Sequence, residues 1–169
     1  MKVRILTFKT LLTIGSNIDH NLRRLNMPAI FHDFPIKASA SSVFRAISSP
    51  QGLDAWWTKR SSGQPEKGIE YKLWFGPEYD WRAMVSTCTL NKEFEFQMTS
   101  ADKDWKETRV GFVLDENAGI VRVRFCHAGW PESNEHYRVS CYCWAMYLRL
   151  LKRYVELGEV VPYESRLDV

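Results

Sequence analysis

Between Tyr137 and Leu157 the sequence contains neither Gly nor Pro, and Cys141, Trp144, Ala145, Leu148, Leu151 and Val155 recur at spacings of three and four. Such a stretch predicts one long helix with a broad buried face. Gly158 ends it, and Lys152 and Arg153 stand near its last turn, where cations suit the helix dipole. A second apolar stripe, Cys143, Met146, Tyr147, Leu150 and Tyr154, runs beside the first. A helix apolar over that much of its circumference is either wrapped on two sides by its own chain or shared with a partner. A homodimer through Cys143, Tyr147, Leu150 and Tyr154 therefore stands as an expectation beside the intramolecular reading.

The segments ahead of this helix have a period of two. Phe31 to Ala38 reads as a strand that Pro35 confines to an edge or a bulge. Ser39 to Ser48 reads as a short helix, with Ser39 or Ser41 as N-cap and Val43, Phe44 and Ile47 on one face. Pro50 opens a second short helix through Leu53, Ala55, Trp56 and Trp57, making a V with the first. Ile69, Tyr71, Leu73 and Phe75 then alternate with Glu70, Lys72 and Trp74, the pattern of a half-buried antiparallel strand. Trp81 to Leu90 and Glu93 to Thr99 follow as a hairpin around Asn91-Lys92. Trp105 to Leu114 and Ile120 to His127, joined through Asp115 to Gly119, complete a meander. The expected class is α+β: about six antiparallel strands, two short helices after the first strand, and the long final helix.

Composition narrows the function. The 169 residues carry 23 Lys+Arg against 20 Asp+Glu, a net charge of +3 that is not clustered beyond the N-terminus, so no electrostatic footprint for nucleic acid stands out. Met1 to Asn26 holds Lys2, Arg4, Lys9, Arg23 and Arg24 against Asp19, and its apolar run from Ile5 to Phe8 is too short and too interrupted to span a bilayer. That segment reads as a poorly ordered or loosely helical extension, or as a basic, acid-poor transit segment. A folded domain is expected over 27–160, followed by a short tail over 161–169. Cys88, Cys126, Cys141 and Cys143 form no C-x-x-C pair, which favours reduced thiols in a cytoplasmic setting over a disulfide framework. No metal site is expected: Cys126 and His127 point to opposite faces of a strand, and Cys141 and Cys143 diverge on a helix. No cofactor motif is present, and there is no G-x-S-x-G, P-loop, G-x-G-x-x-G or H-E-x-x-H. The unusual feature is the aromatic content of 14%, seven Trp included, since flat apolar side chains dominate both cores and small-molecule pockets.

The order Ala38-Ser39, Val43-Phe44, Ala46-Ile47, Pro50-Gln51-Gly52-Leu53 and Trp56-Trp57 resembles the opening of the START-related SRPBCC superfamily, in the branch named for activators of the heat-shock protein 90 ATPase. Gly68-Ile69-Glu70-Tyr71, His127-Ala128-Gly129-Trp130 and Trp144 are similar to later features of that branch, so the resemblance runs from Met27 to Leu157. It implies a helix-grip fold: a curved antiparallel sheet around the long C-terminal helix, enclosing an apolar cavity closed by the two short helices. Chaperone-activating members carry a separate N-terminal domain, for which the stretch ahead of Met27 is too short, so that activity is not expected to carry over.

Within such a cavity the alternation of Val121, Val123, Phe125 and His127 turns His127 inward at a strand end. Trp56, Trp57, Phe96 and Trp144 are expected wall residues, Met84 an adaptable filler, and the Tyr71 phenol a group that orients a polar part of a ligand. Three functions compete. The first is non-catalytic binding of a small hydrophobic or amphipathic ligand. The second is cyclase- or dehydratase-type catalysis with His127 as acid or base, assisted by Tyr71 or Tyr137. The third is a chaperone-interacting module.

Overall fold

A computed structural model describes residues 27–168. The elements are β1 (Ala29–Ile36), α1 (Ala40–Ser48), α2 (Pro50–Trp56), β2 (Arg60–Ser62), β3 (Glu70–Gly76), β4 (Tyr79–Thr89), β5 (Glu93–Ser100), β6 (Arg109–Asn117), β7 (Ile120–Ala128), α3 (Glu135–Leu157) and a 3-10 helix (Tyr163–Asp168). The strands form one antiparallel sheet in the order β1-β7-β6-β5-β4-β3-β2. β1 is an edge strand, which accommodates Pro35. Register shifts in β3–β4 and β4–β5 bend the sheet. The bent sheet cups α3, whose Trp144, Leu148 and Leu151 join the inward residues of every long strand in one core. This is the helix-grip architecture.

Local chemistry explains the element ends. The Ser39 hydroxyl accepts from the Ser42 amide to start α1, and Ser49 accepts from Gly52 to start α2 with Pro50 in its first turn. Gly52 is required at the corner of the V, because a Cβ there would stand 2.5 Å from the carbonyl oxygens of Arg45 and Ala46. Asn134 caps α3 by accepting from the Tyr137 amide, and Gly158, at φ +69°, closes it in the left-handed conformation.

The sheet expected to hold about six strands has seven, the additional one being β2, whose three residues are too few to show a period. Two expectations about local structure are corrected. β6 begins at Arg109 rather than Trp105, because residues 101–108 form a turn closed by Trp105 N–H to Asp102 O and Thr108 N–H to Trp105 O. The β6–β7 connection narrows to Ala118-Gly119, both at positive φ, since Asn117 and Ile120 already pair across the ladder.

Much of the second stripe of α3 is wrapped by its own chain. Leu150 is buried, and Tyr147 and Tyr154 pack against the core. The 3-10 helix folds back near Tyr147, and its Arg166 is buried with its guanidinium donating to the carbonyls of Asp54, Thr58 and Val161. Residues 161–168 are thus a docked segment that latches α2 to the domain. The expectation for residues 1–26 lies outside the described residues.

Candidate functional site

The inward residues of β3 to β7, the V of α1 and α2, and the first turns of α3 enclose a layer built almost entirely of aromatic rings. Trp56 and Trp57 enter from the end of α2 and stack with centroids 6.0 Å apart. Trp57 reaches Trp144 of α3 at 5.2 Å and Phe96 of β5 at 6.4 Å. Trp144 in turn meets Phe125 of β7 at 4.5 Å. Six of the seven residues expected at the site, Trp56, Trp57, Tyr71, Phe96, His127 and Trp144, are buried in this layer. Met84 is not. It lies on the outer face of β4 beside Arg82, because Ala83 and Val85 take the inward parity, so its role as an inner filler is corrected.

Two rings not assigned to the site from sequence complete the layer. Trp105, from the 101–108 turn, lies 4.4 Å from the His127 ring and 5.8 Å from Trp144. Trp130 follows β7 and lies 4.6 Å from His127 and 5.8 Å from Trp105. Trp130 carried a signal, since it closes the His127-Ala128-Gly129-Trp130 run. Trp105 was masked by its apparent place at the start of a strand.

His127 is wholly buried and its hydrogen bonds form a closed chain. An indole N–H only donates, so the 2.9 Å bond from Trp144 Nε1 makes His127 Nδ1 the acceptor and leaves the proton on Nε2. Nε2–H then donates to Thr108 Oγ1 at 2.9 Å, and that hydroxyl donates to the Trp105 carbonyl at 2.6 Å. Burial, with a smaller contribution from His136, lowers the His127 pKa to about 3. Both ring nitrogens are occupied and the imidazole is held neutral, so it ties β7, α3 and the 101–108 turn together. An acid–base catalyst needs a free lone pair or a transferable proton facing a substrate.

The tyrosines are similarly committed. The Tyr71 hydroxyl donates to Ser48 O at 2.6 Å, fastening β3 to the end of α1, and burial pushes its pKa up. Tyr137 donates to Ala29 O at 3.0 Å. Gly63, at φ +152°, passes so close to the Tyr71 ring that a Cβ would stand 2.5 Å from it.

Two hollows lie on the outside. One of about 320 Å³ is bordered by Arg60, Lys72, Trp74, Asp80 and Arg82 on the outer face of β2 to β4. The other, about 140 Å³, runs along α3 past Tyr142, Met146 and Arg149. Among the described residues no group of His, Cys, Asp or Glu side chains is placed to hold a metal, and no helix is long and apolar enough to cross a membrane.

Residues 37–156 match the family model described as Activator of Hsp90 ATPase homolog 1-like protein. The solution structure of the Aha1 dimer from Colwellia psychrerythraea is 29% identical, with a TM-score of 0.72, over 79% of this chain and 99% of that one. SSP2350 from Staphylococcus saprophyticus is 17% identical, with a TM-score of 0.65, over 79% of this chain and 96% of that one. CalU16 from Micromonospora echinospora is also 17% identical, with a TM-score of 0.64, over 82% of this chain and 83% of that one. These last two share the fold. A comparison with curated proteins returned no match.

Proposed function

The chain belongs to the Activator of Hsp90 ATPase homolog 1-like family, and from that premise we propose that it binds a small, mainly apolar ligand between the sheet and α3 without transforming it. The observation that carries this reading is the closed chain Trp144–His127–Thr108–Trp105, set in a wall of aromatic rings. Its titratable group is consumed in holding the wall together, which supports binding over acid–base catalysis. Because the rings pack against one another, a ligand enters by replacing ring–ring contacts, chiefly those of Trp105, which is carried by the 101–108 turn. The free thiols of Cys88, Cys126, Cys141 and Cys143 suit a reducing, cytoplasmic compartment.

Native mass spectrometry of the freshly purified protein, followed by release of anything retained, tests the proposal. A co-purifying apolar molecule is the expected result. A bare mass, together with a melting temperature and tryptophan emission indifferent to a panel of apolar probes, overturns it.

A homodimer is the second reading, supported by the dimeric Colwellia structure and by Val139 and Tyr142, which stand exposed on α3 beside the outer groove. Of the four residues expected at such an interface, Cys143, Tyr147 and Tyr154 are partly accessible, whereas Leu150 is buried. Light scattering of wild type and Tyr142→Glu decides it: a dimer converted to monomer supports the α3 interface, and a monomeric wild type removes it.

A further inference from the structure

Three buried side-chain nitrogens among the described residues have no hydrogen-bond partner: Trp105 Nε1, Trp130 Nε1 and His32 Nε2. Buried polar atoms in native proteins are nearly always paired, and each exception calls for an explanation. Two of them share one place: Trp105 and Trp130 lie 4.4 and 4.6 Å from the His127 ring and 5.8 Å from each other, whereas His32 stands apart on β1, 6.1 Å from the Phe125 ring. His127 does not satisfy the indoles, because its own nitrogens are bonded to Trp144 and Thr108. The aromatic layer is therefore apolar at the Trp57 end and holds two uncommitted N–H donors at the Trp105–Trp130 end.

Building on the binding reading above, we propose that Trp105 and Trp130 form the polar end of the ligand site, donating their indole N–H groups to an uncharged carbonyl oxygen of a flat, mainly apolar ligand. Neutrality follows from the surroundings. A carboxylate buried here would need a cation, and among the described residues the neighbouring candidates are committed: His127 is held neutral by its two bonds, His136 beside Trp130 is already paired with the Asp104 carboxylate, and the buried Arg166 is spent on the carbonyls of Asp54, Thr58 and Val161. A carbonyl oxygen has two lone pairs and no charge to compensate, so it suits donors carried by two rings whose centroids are 5.8 Å apart. Access follows from the turn that carries Trp105. Residues 101–108 bond to the neighbouring strand at the turn's root, where Met98 and Gln97 of β5 meet Glu107 and Thr108, and the turn is joined to the α3 end by Asp104, held by Asn134 and His136, and by the Trp105 ring against Trp144. Glu107 at φ +70° is a non-glycine residue in the left-handed region, so the turn's base is strained.

A matched pair of probes tests the assignment: 2-acetonaphthone, a planar ketone, and 2-ethylnaphthalene, which has nearly the same shape and no acceptor. Titration calorimetry with the wild-type protein should show the ketone binding about tenfold more tightly, the equivalent of about 1.4 kcal/mol. Trp105→Phe and Trp130→Phe keep a ring at each position and remove its donor, so each should shrink that ratio, whatever the smaller ring does to the affinity for both probes. Should either variant fold poorly, 15N spectra of the wild type carry the same information. The Trp105 and Trp130 indole N–H resonances should move downfield with the ketone and not with the hydrocarbon. Equal affinities with no such shift overturn the donor assignment and leave the apolar site standing; binding of neither probe overturns both.

Discussion

His127 makes acid stability a direct reading of the closed hydrogen-bond chain. In the unfolded chain its imidazole titrates near 6.5, whereas in the folded protein burial holds it to about 3. The unfolded state therefore binds a proton that the native state refuses, and stability falls as pH drops below the unfolded value toward the folded one. Each pH unit in that window costs about 1.4 kcal/mol, so moving from pH 7 to pH 5 should remove about 2 kcal/mol through this residue alone. That is a sizeable fraction of the 5–15 kcal/mol typical of a domain. The window lies above the range of the carboxylates that gain partners on folding, Asp104, Glu156 and Glu159, whose pKa values are lowered from already acidic ones. The control is His127→Gln, whose amide can accept from Trp144 and donate to Thr108 without titrating. Urea unfolding of both proteins at pH 7, 6 and 5 should give a wild-type stability that drops about 2 kcal/mol further than the variant's. Parallel pH dependences would refute the reasoning, since they would mean that the native imidazole accepts a proton as readily as the unfolded one.

Gly63→Ala should destabilise by about 2–3 kcal/mol, because its Cβ meets the Tyr71 ring and its φ of +152° disfavours a side chain; an unchanged melting temperature would sink that explanation. Tyr71→Phe strips the donor from a buried Ser48 carbonyl and should lower stability by about 1–2 kcal/mol by urea unfolding, with apolar probe affinity unchanged. Were affinity to fall more than stability, the phenol would belong to the ligand. Arg166→Met keeps the side chain's length and removes three hydrogen bonds to backbone carbonyls. A loss of about 3 kcal/mol is expected, with early proteolysis within 159–168 as its signature. An equally protected C-terminus in that variant would show that the latch is held by Tyr163 rather than by the guanidinium.

Where the chain's periodicities were long, they determined the elements unaided. Trp144, Leu148 and Leu151 fall on the core side of α3, and Phe94, Phe96 and Met98 on the core side of β5, because the pitch of each element leaves one way to hide that many apolar groups. The capping residues Ser39, Asn134 and Gly158 act within a turn of their own position, and only Asn134 was not singled out beforehand. Inward placement of His127 likewise follows from three alternating neighbours.

Tertiary structure decided whatever depends on groups far apart in sequence. Met84 and the Arg82 beside it had a parity that either face of β4 would satisfy until pairing with β3 and β5 settled it. β2 is too short for a period and exists because Trp74 and Lys72 offer it a partner. The 3-10 helix has no amphipathic pattern; it docks because Arg166 meets the carbonyls of Asp54 and Thr58, more than a hundred residues upstream. The character of His127 is the sharpest case. Its inward direction is a local property, but whether an inward imidazole is a catalyst or a tie depends on what meets its two nitrogens, and those partners, Thr108 and Trp144, come from two other segments brought together only by the fold. Alternation says which side a group faces, whereas burial and hydrogen bonding, which set its charge, are properties of the assembled interior.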